Sequence, residues 1–124
     1  MRLLLDAHVL LWWLSSSPRL PKSVRAQIEV CEVAYVSAAT VWEIAIKVAA
    51  RKLEFRGDME EQLAINNFHP LPIAVIHTLL AAKLPRHHFD PFDRMLVAQA
   101  SFESLTLVTA DPQLAVYGVT ILQA

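Results

Sequence analysis

Short apolar segments with the composition of β-strands alternate along the chain with longer segments of helical period. Strands are predicted at residues 3–5, 33–37, 105–109 and 119–122, with helical segments between them. Strands that are separated by helices pair in parallel, because each crossover returns the chain to the same end of the sheet. The pattern therefore predicts an α/β fold that is doubly wound, with a mostly parallel central sheet and helices on both faces.

The helical segments begin and end at turn and capping residues. Helices are predicted at residues 8–14, 21–30, 40–53, 58–68, 75–82, 91–104 and 111–117, with a short extended piece at 69–73 and a loop through LPRHHFDP. Pro21 and Pro91 stand where a helix begins, a position that proline tolerates well. The 124 residues, 55% of them hydrophobic, fit a single folded domain over residues 1–124.

Two scarce residue types exclude several kinds of site. The two glycines, Gly57 and Gly118, lie far apart, so the sequence has no glycine-rich phosphate loop, dinucleotide fingerprint or serine elbow. Cys31 is the single cysteine and can form neither an internal disulfide nor a thiolate zinc site, which agrees with a reducing compartment. Phosphate chemistry in this chain must therefore depend on side chains or a metal ion.

The N-terminal apolar run differs from a membrane or export segment. Asp6 and His8 interrupt it, and no small-residue cleavage site follows. No window supplies the run of about 20 apolar residues that a spanning helix requires. We expect a cytoplasmic protein that has no membrane association.

Acidic residues are concentrated where the predicted strands end. Five of them follow a strand or open the helix near one: Asp6, Glu43, Asp90, Asp93 and Asp111. Ligands of open α/β sheets bind beyond the carboxyl ends of the strands, so these side chains are expected to share one cleft. Neighbouring carboxylates repel unless a cation compensates them, and hard oxygen ligands suit Mg²⁺ or Mn²⁺. Because such a cation activates an attacking water, the predicted chemistry is phosphodiester hydrolysis.

Each acid also has a structural interpretation. Asp111 precedes Pro112 and Asp90 precedes Pro91, so both fit the N-cap of a helix. Asp6 can cap the helix that follows it in the same way. An acid that interrupts an aliphatic run is costly without a partner, however, which favours a functional role for Asp6.

Glu43 belongs to a polar stripe at helical spacing that also contains Thr40, Lys47 and Arg51. One interpretation is a solvated helix face on which Glu43 and Lys47 form an ion pair. The other is a wall of the cleft, with Glu43 at the metal and the bases facing nucleic acid. The pattern leaves both interpretations open.

Four motifs occur in order along nearly the whole chain: LLLDAHVLLWWL, SAATVWEIAIK, HFDPFDRMLVAQA and LTLVTAD. Together they resemble the PIN-domain family, and most closely the VapC-like toxins of bacterial and archaeal toxin–antitoxin pairs. The resemblance implies a metal-dependent endoribonuclease that cuts single-stranded RNA with Mg²⁺ or Mn²⁺. It also implies inhibition by a small antitoxin protein and a homodimer.

The resemblance assigns a role to each acid. Asp6 matches the first acid of the family, Glu43 the second, Asp93 the third and Asp111 the fourth. All four are expected to be catalytic and to bind the metal ion. Asp90 lies in the same segment as Asp93 and is the alternative third acid, because one turn of helical register decides which carboxylate faces the metal.

The chain departs from the family at Ala7, where many relatives carry a threonine or serine directly after the first acid. Thr109, beside the fourth acid, retains a hydroxyl that can support a carboxylate. Thr109 is also a candidate substrate contact, together with Lys47, Arg51 and Arg94. The three bases either hold RNA phosphates or are ordinary solvated residues, and Arg94 can instead pair with the adjacent acid.

Bulky apolar residues near the N-terminus exceed what one helix face can bury: Leu10, Leu11, Trp12, Trp13 and Leu14. Consecutive residues of a helix point about 100° apart, so one of the paired tryptophans can remain for another chain. Together with Trp42, these residues form the surface predicted to contact a second copy or the antitoxin.

Two other functions are compatible with a small α/β domain that has an acidic pocket. One is a phosphoacceptor signalling receiver, but receivers place two adjacent acids after the first strand, whereas Asp6 stands alone. Receivers also carry a lysine after a late strand, and no lysine follows Asp93. The other is a catalytically silent PIN module that only binds a partner. A measurement of RNA cleavage separates these alternatives.

Overall fold

Five strands and six α-helices alternate along the part of the chain that the structure, a computed structural model, describes: residues 1–87 and 89–124. The strands are β1 (Arg2–Leu5), β2 (Val33–Ser37), β3 (Phe68–Leu71), β4 (Thr106–Thr109) and β5 (Ile121–Gln123). The helices are α1 (Ala7–Leu14), α2 (Lys22–Val30), α3 (Ala38–Ala49), α4 (Met59–Ile65), α5 (Val75–Lys83) and α6 (Pro91–Glu103), with a 3₁₀ helix at Pro112–Tyr117. Within these residues, no helix is long and apolar enough to cross a bilayer.

The strands form one sheet in the order β3-β2-β1-β4-β5, and every neighbouring pair is parallel. The predicted doubly wound α/β fold is confirmed. The chain builds outward from β1 through β2 to β3 and then returns to the other side of β1 for β4 and β5. Leu5 lies opposite Val36 of β2 and Val108 of β4, so these three strands end at one level. The order reverses between β1 and β4, and the crevice at such a reversal is the usual ligand site.

Successive residues of β1 pack on opposite faces of the sheet. Leu3 and Leu5 belong to a cluster with residues of α1 to α4, whereas Leu4 belongs to a second cluster with residues of α6 and the 3₁₀ helix. All three leucines are fully buried. A central strand that is covered on both faces requires an uninterrupted apolar run, and here that run ends at Asp6.

Helix α3 differs most from its predicted bounds. Ser37 caps its first turn by accepting a hydrogen bond from the Ala39 N–H at 3.0 Å, and the helix ends at Ala49 rather than at residue 53. Arg51 adopts a left-handed conformation with φ of 58°, which closes the helix. The prediction that Arg51 lies on the helical stripe of Glu43 is therefore wrong.

The region after α4 also differs from its prediction. The helix predicted at 58–68 stops at Ile65, because Asn67 turns the chain with φ of 56° and Phe68 enters β3. The segment 69–73, predicted only as an extended piece, contributes most of β3. His88, which lies in the predicted loop, falls outside the described residues.

Candidate acidic site

Asp6 follows β1 directly, at the crevice where the strand order reverses. Its carboxylate accepts a hydrogen bond from the Val9 N–H at 2.8 Å and caps α1. Its own backbone N–H donates to the Val108 carbonyl at 3.0 Å, which fixes Asp6 against β4. Only 6% of the residue is exposed. Asp6 is therefore both a helix cap and a buried acid at the carboxyl edge of the sheet.

Burial raises the pKa of the Asp6 carboxyl above its ordinary value. The strongest opposing effect on that pKa is a hydrogen bond from the Thr109 side chain. Backbone hydrogen bonds from Val9 and Ala110, and the charge of His8, also lower the pKa and offset part of the rise. Because the surroundings compensate the carboxylate only in part, a nearby cation would favour its charged form. The environment of Asp6 thus fits a metal ligand.

Thr109, the last residue of β4, links Asp6 to Asp111. The Asp111 N–H donates a hydrogen bond to Thr109 Oγ1 at 3.1 Å, and the same side chain hydrogen bonds to Asp6. The Asp111 carboxylate accepts a hydrogen bond from the Gln113 N–H at 2.9 Å, so it caps the 3₁₀ helix. Thr109 is fully buried, and its hydroxyl supports the two acids. The predicted contact of Thr109 with substrate stays a prediction.

Asp90 and Asp93 have different surroundings at the start of α6. Asp90 Oδ1 accepts hydrogen bonds from the N–H groups of Phe92 at 2.8 Å and Asp93 at 3.3 Å. Asp90 is thus the N-cap of α6, with Pro91 directly after it as predicted. Asp93 is half-buried in the first turn, where the helix dipole favours a negative charge.

Glu43 lies on α3 and pairs with Lys47, whose Nζ is 3.1 Å from Glu43 Oε2. The Glu43 side chain is 15% exposed, whereas Lys47 reaches farther into solvent. Thr40, one turn earlier, is buried, so the polar stripe does not form a solvated face along its whole length. The ion pair of the first interpretation is present, and it places a positive charge beside the second motif acid.

Contacts between elements bring the four acid-bearing segments together. Helix α3 packs against α6, where the rings of Trp42 and Phe92 meet at 5.5 Å between centroids. The ring of His87, before α6, contacts Tyr117 of the 3₁₀ helix at 5.6 Å. Each segment that bears a motif acid therefore touches another one, with Asp6 and Asp111 joined through Thr109.

These contacts between segments do not by themselves bring the carboxylates into the arrangement of a metal site. Among the described residues, no group of three histidine, cysteine, aspartate or glutamate side chains is arranged to hold a metal ion. The donor set is nevertheless of the right chemistry, since carboxylate oxygens are the ligands that Mg²⁺ and Mn²⁺ prefer. Metal binding by these four acids stays a prediction: Asp6, Glu43, Asp93 and Asp111.

Arg94 makes hydrogen bonds to backbone carbonyls that the sequence did not indicate. Its guanidinium donates hydrogen bonds to the carbonyls of Ala81 at 2.8 Å, Leu84 at 2.7 Å and Pro85 at 3.0 Å. These bonds hold the end of α5 and the segment after it against α6. Because all three acceptors are backbone groups, no residue type in the sequence could have revealed them. Arg94 is therefore accounted for without a phosphate.

The three tryptophans of the predicted contact surface differ in exposure. Trp12 and Trp13 are half-buried against the core, with the guanidinium of Arg19 at 5.2 Å from the Trp12 ring and that of Arg25 at 4.7 Å from the Trp13 ring. Each of these two rings is thus partly covered by its own chain. Trp42, in contrast, is exposed. Contact of these residues with a second copy or the antitoxin stays a prediction.

The chain is thus an α/β domain with a five-stranded parallel sheet and with acidic residues where the strand order reverses. Residues 3–119 match the family model described as the PIN domain, and the chain belongs to the PIN-domain family. Comparison with curated proteins gave no match.

Several solved structures share this fold. A chain of VapBC2 from Rickettsia felis, bound to a DNA fragment from their promoter, matches with a TM-score of 0.70 and 12% identity, covering 99% of this chain and 98% of that one. A chain of FitAcB from Neisseria gonorrhoeae matches with a TM-score of 0.67 and 24% identity, covering 98% of this chain and 96% of that one. A chain of DNA-bound VapBC from Salmonella typhimurium matches with a TM-score of 0.70 and 16% identity, covering 99% of this chain and 98% of that one. At these identities the likeness establishes a common fold.

Proposed function

We propose that this protein is a metal-dependent endoribonuclease, the toxin of a toxin–antitoxin pair, that hydrolyses RNA phosphodiesters in the cytoplasm with Mg²⁺ or Mn²⁺. The observation that carries the proposal is Asp6: a buried carboxyl with a raised pKa, at the strand-order reversal of a PIN domain. A buried acid of this kind reduces stability unless a ligand compensates its charge, so it is expected to serve a function.

The proposed ligands are Asp6, Glu43, Asp93 and Asp111. These four carboxylates would hold a divalent cation, which would supply an activated water and stabilisation of the leaving oxygen. The Thr109 hydroxyl orients the Asp6 carboxylate, and its hydrogen bond from the Asp111 N–H holds the next acid in place. Asp90, the alternative third ligand, fixes the first turn of α6 and thereby the position of Asp93.

The proposed partners are an RNA strand, a small antitoxin protein and a second copy of the chain. Support for the antitoxin comes from the fold, which is shared with chains of several toxin–antitoxin complexes. Exposed apolar side chains are present for protein contacts, although not at Trp12 and Trp13. Four of them project from α5 and the residues before it: Ile73, Val75, Ile76 and Leu79. The homodimer stays a prediction.

The two competing functions were a signalling receiver and a catalytically silent PIN module. Membership of the PIN-domain family replaces the receiver hypothesis, which rested on length, a doubly wound sheet and an acidic pocket. A silent PIN module that only binds a partner is the remaining alternative, and its acids would serve as helix caps without chemistry. Asp6, Asp90 and Asp111 do cap helices. Activity therefore has to be tested with variants that preserve capping.

The test compares RNA cleavage by the wild type, Asp6→Asn and Asp93→Asn with Mg²⁺, Mn²⁺ or excess chelator. Asparagine retains a carbonyl oxygen that can cap a helix but removes the charge. Asp58→Asn is the matched control, since Asp58 caps α4 by accepting from the Glu61 N–H and lies outside the acidic site. We expect both site variants to fall to the activity of the chelated wild type while the control stays active. Cleavage that resists chelator, or undiminished cleavage by Asp6→Asn, would overturn the proposal.

A further inference from the structure

The surroundings of Trp42 differ from those of the other two tryptophans. Trp12 and Trp13 pack against the core and are covered by arginine side chains. Trp42 is 62% exposed, although it lies in the middle of α3, where the opposite face of the helix is buried. Tryptophan is among the residues that gain most from burial, so an exposed ring at a fixed position calls for a binding partner.

The exposed ring is held in position rather than left free to rotate. Its centroid lies 5.5 Å from that of Phe92, with an angle of 71° between the ring planes, which is an edge-to-face contact. Such a contact is one of the two favoured arrangements of an aromatic pair. The contact joins α3 to the first turn of α6, so the ring is oriented before any ligand arrives.

The ring is adjacent along the chain to residues of the acidic site. Trp42 immediately precedes Glu43 in α3, and Phe92 immediately precedes Asp93 in α6. The aromatic pair thus connects the two helices that carry the second and third motif acids.

Given the proposed function, the ligand group that meets this ring is a nucleobase. A phosphodiester at the acids has a nucleotide on either side of it, and in a single strand the base of that nucleotide is not paired. Aromatic side chains bind such bases by stacking, which tolerates every base because each has a π-face. An apolar side chain of a protein partner could also use the ring, but only the substrate must place a group beside the acids.

We propose that Trp42, held edge-to-face by Phe92, is a stacking platform for an unpaired base next to the RNA phosphodiester at the acidic site. This inference rests on the proposed function and adds a substrate contact to it.

The test measures RNA binding in the uncleaving Asp6→Asn background with Mg²⁺ present. The probes are a short unstructured oligouridylate and an oligomer of equal length in which the bases are missing. Trp42→Ala is expected to weaken binding of the oligouridylate by about 5- to 150-fold. The same substitution should leave binding of the baseless oligomer unchanged, since its phosphates are intact. Trp42→Phe, which keeps an aromatic face, should retain most of the affinity.

Two controls separate stacking from other effects. Phe102→Ala removes another exposed aromatic, 51% exposed and in contact with His77 rather than with the acidic site, and should not alter RNA affinity. Binding as a function of salt should give the same slope for Trp42→Ala and its parent, because stacking involves no phosphate contact. Thermal unfolding confirms that each variant is folded.

The outcomes distinguish this inference from the proposed function. If the wild type cleaves RNA and Trp42→Ala binds oligouridylate as tightly as its parent, the stacking platform is wrong and the nuclease stands. If Trp42→Ala instead loses only antitoxin binding, the ring belongs to a protein contact and the inference is overturned. If the wild type neither cleaves nor binds RNA, both are overturned.

Discussion

The backbone N–H of Asp111 donates a hydrogen bond to Thr109 Oγ1 at 3.1 Å, and the same hydroxyl supports the carboxylate of Asp6. One buried side chain thus couples the first and fourth motif acids, which stand at opposite ends of the sequence. Such supporting contacts orient ligands and typically change metal affinity or activity by about 10- to 100-fold.

Thr109→Val is expected to reduce metal-dependent cleavage by roughly 10- to 100-fold. Valine has nearly the same shape but leaves the Asp111 N–H without its acceptor, so the free energy of unfolding should also fall by about 1–3 kcal/mol. Thr109→Ser keeps the hydroxyl and serves as the control. Metal titration and urea unfolding provide the measurements. Equal activity of the valine and serine variants would contradict the supporting role.

The raised pKa of Asp6 makes stability depend on pH in a defined direction. The folded state retains this proton to a higher pH than the unfolded state, so between the two pKa values it binds more protons and becomes less stable as pH rises. Asp6→Asn does not titrate there. The stability of Asp6→Asn relative to the wild type should therefore rise with pH from roughly 4 and level off above the folded pKa.

Urea unfolding of both proteins across this pH range, with chelator present, checks the prediction. Added Mn²⁺ should stabilise the wild type more than Asp6→Asn, because only a bound ligand of the folded state shifts unfolding. A difference that is flat or falls with pH would contradict the assignment of burial as the dominant cause.

Substitutions of Asp90 and Asp93 are expected to have different effects, the first on stability and the second on activity. Asp90→Ala removes the acceptor of two helix N–H groups and should cost about 0.5–2 kcal/mol of stability. Asp93→Asn should leave stability nearly unchanged and abolish cleavage. Thermal unfolding and a cleavage assay on the same preparations test both expectations. If Asp90→Asn, which keeps the cap, is inactive while Asp93→Asn is active, then Asp90 is the third acid.

Glu43 and Lys47 form a partly exposed pair one helical turn apart, and such pairs contribute only about 0.3–0.5 kcal/mol. Glu43→Gln should therefore unfold like the wild type but lose metal-dependent cleavage. Lys47→Gln breaks the same pair but leaves the acid in place. This variant should therefore keep metal-dependent cleavage of RNA, active with Mn²⁺ and inactive when a chelator removes the metal. Similar loss of activity in the two variants would favour the ion pair itself over metal binding.

Arg94 is predicted to matter for folding rather than for RNA. Arg94→Gln loses bonds to three carbonyls and should lower the free energy of unfolding by about 1–3 kcal/mol. The salt dependence of RNA binding should stay the same, because no phosphate contact is removed. Arg86→Gln, at an exposed residue nearby, is the control for charge. A shallower salt slope for Arg94→Gln would restore the predicted phosphate contact.

The sequence predicted the features that depend on short-range pattern. The apolar run before Asp6 indicated a buried strand, and Pro91 after Asp90 indicated the start of α6, because both follow from local sterics and burial. Strand pairing followed from the alternation of elements. The place of Asp6 and Asp111 after β1 and β4, at the carboxyl edge of the sheet, followed in turn from that topology.

The remaining features depend on contacts between distant segments. The sequence predicted Asp90 as the N-cap of α6 but could not decide whether Asp90 or Asp93 is the third acid, since that depends on which carboxylate faces acids from distant segments. It grouped Trp42 with Trp12 and Trp13, because exposure depends on which arginines fold over which rings. The end of α3 was also missed, as its helical period continues past the left-handed turn at Arg51.

The central position of β1 has a consequence for biosynthesis. Its neighbour β4 comprises Thr106–Thr109, so Asp6 lacks the Val108 carbonyl and the Thr109 hydroxyl until those late residues leave the ribosome. Asp6 therefore acquires its buried surroundings, and the support of its carboxylate, only after nearly all of the strands have been synthesised.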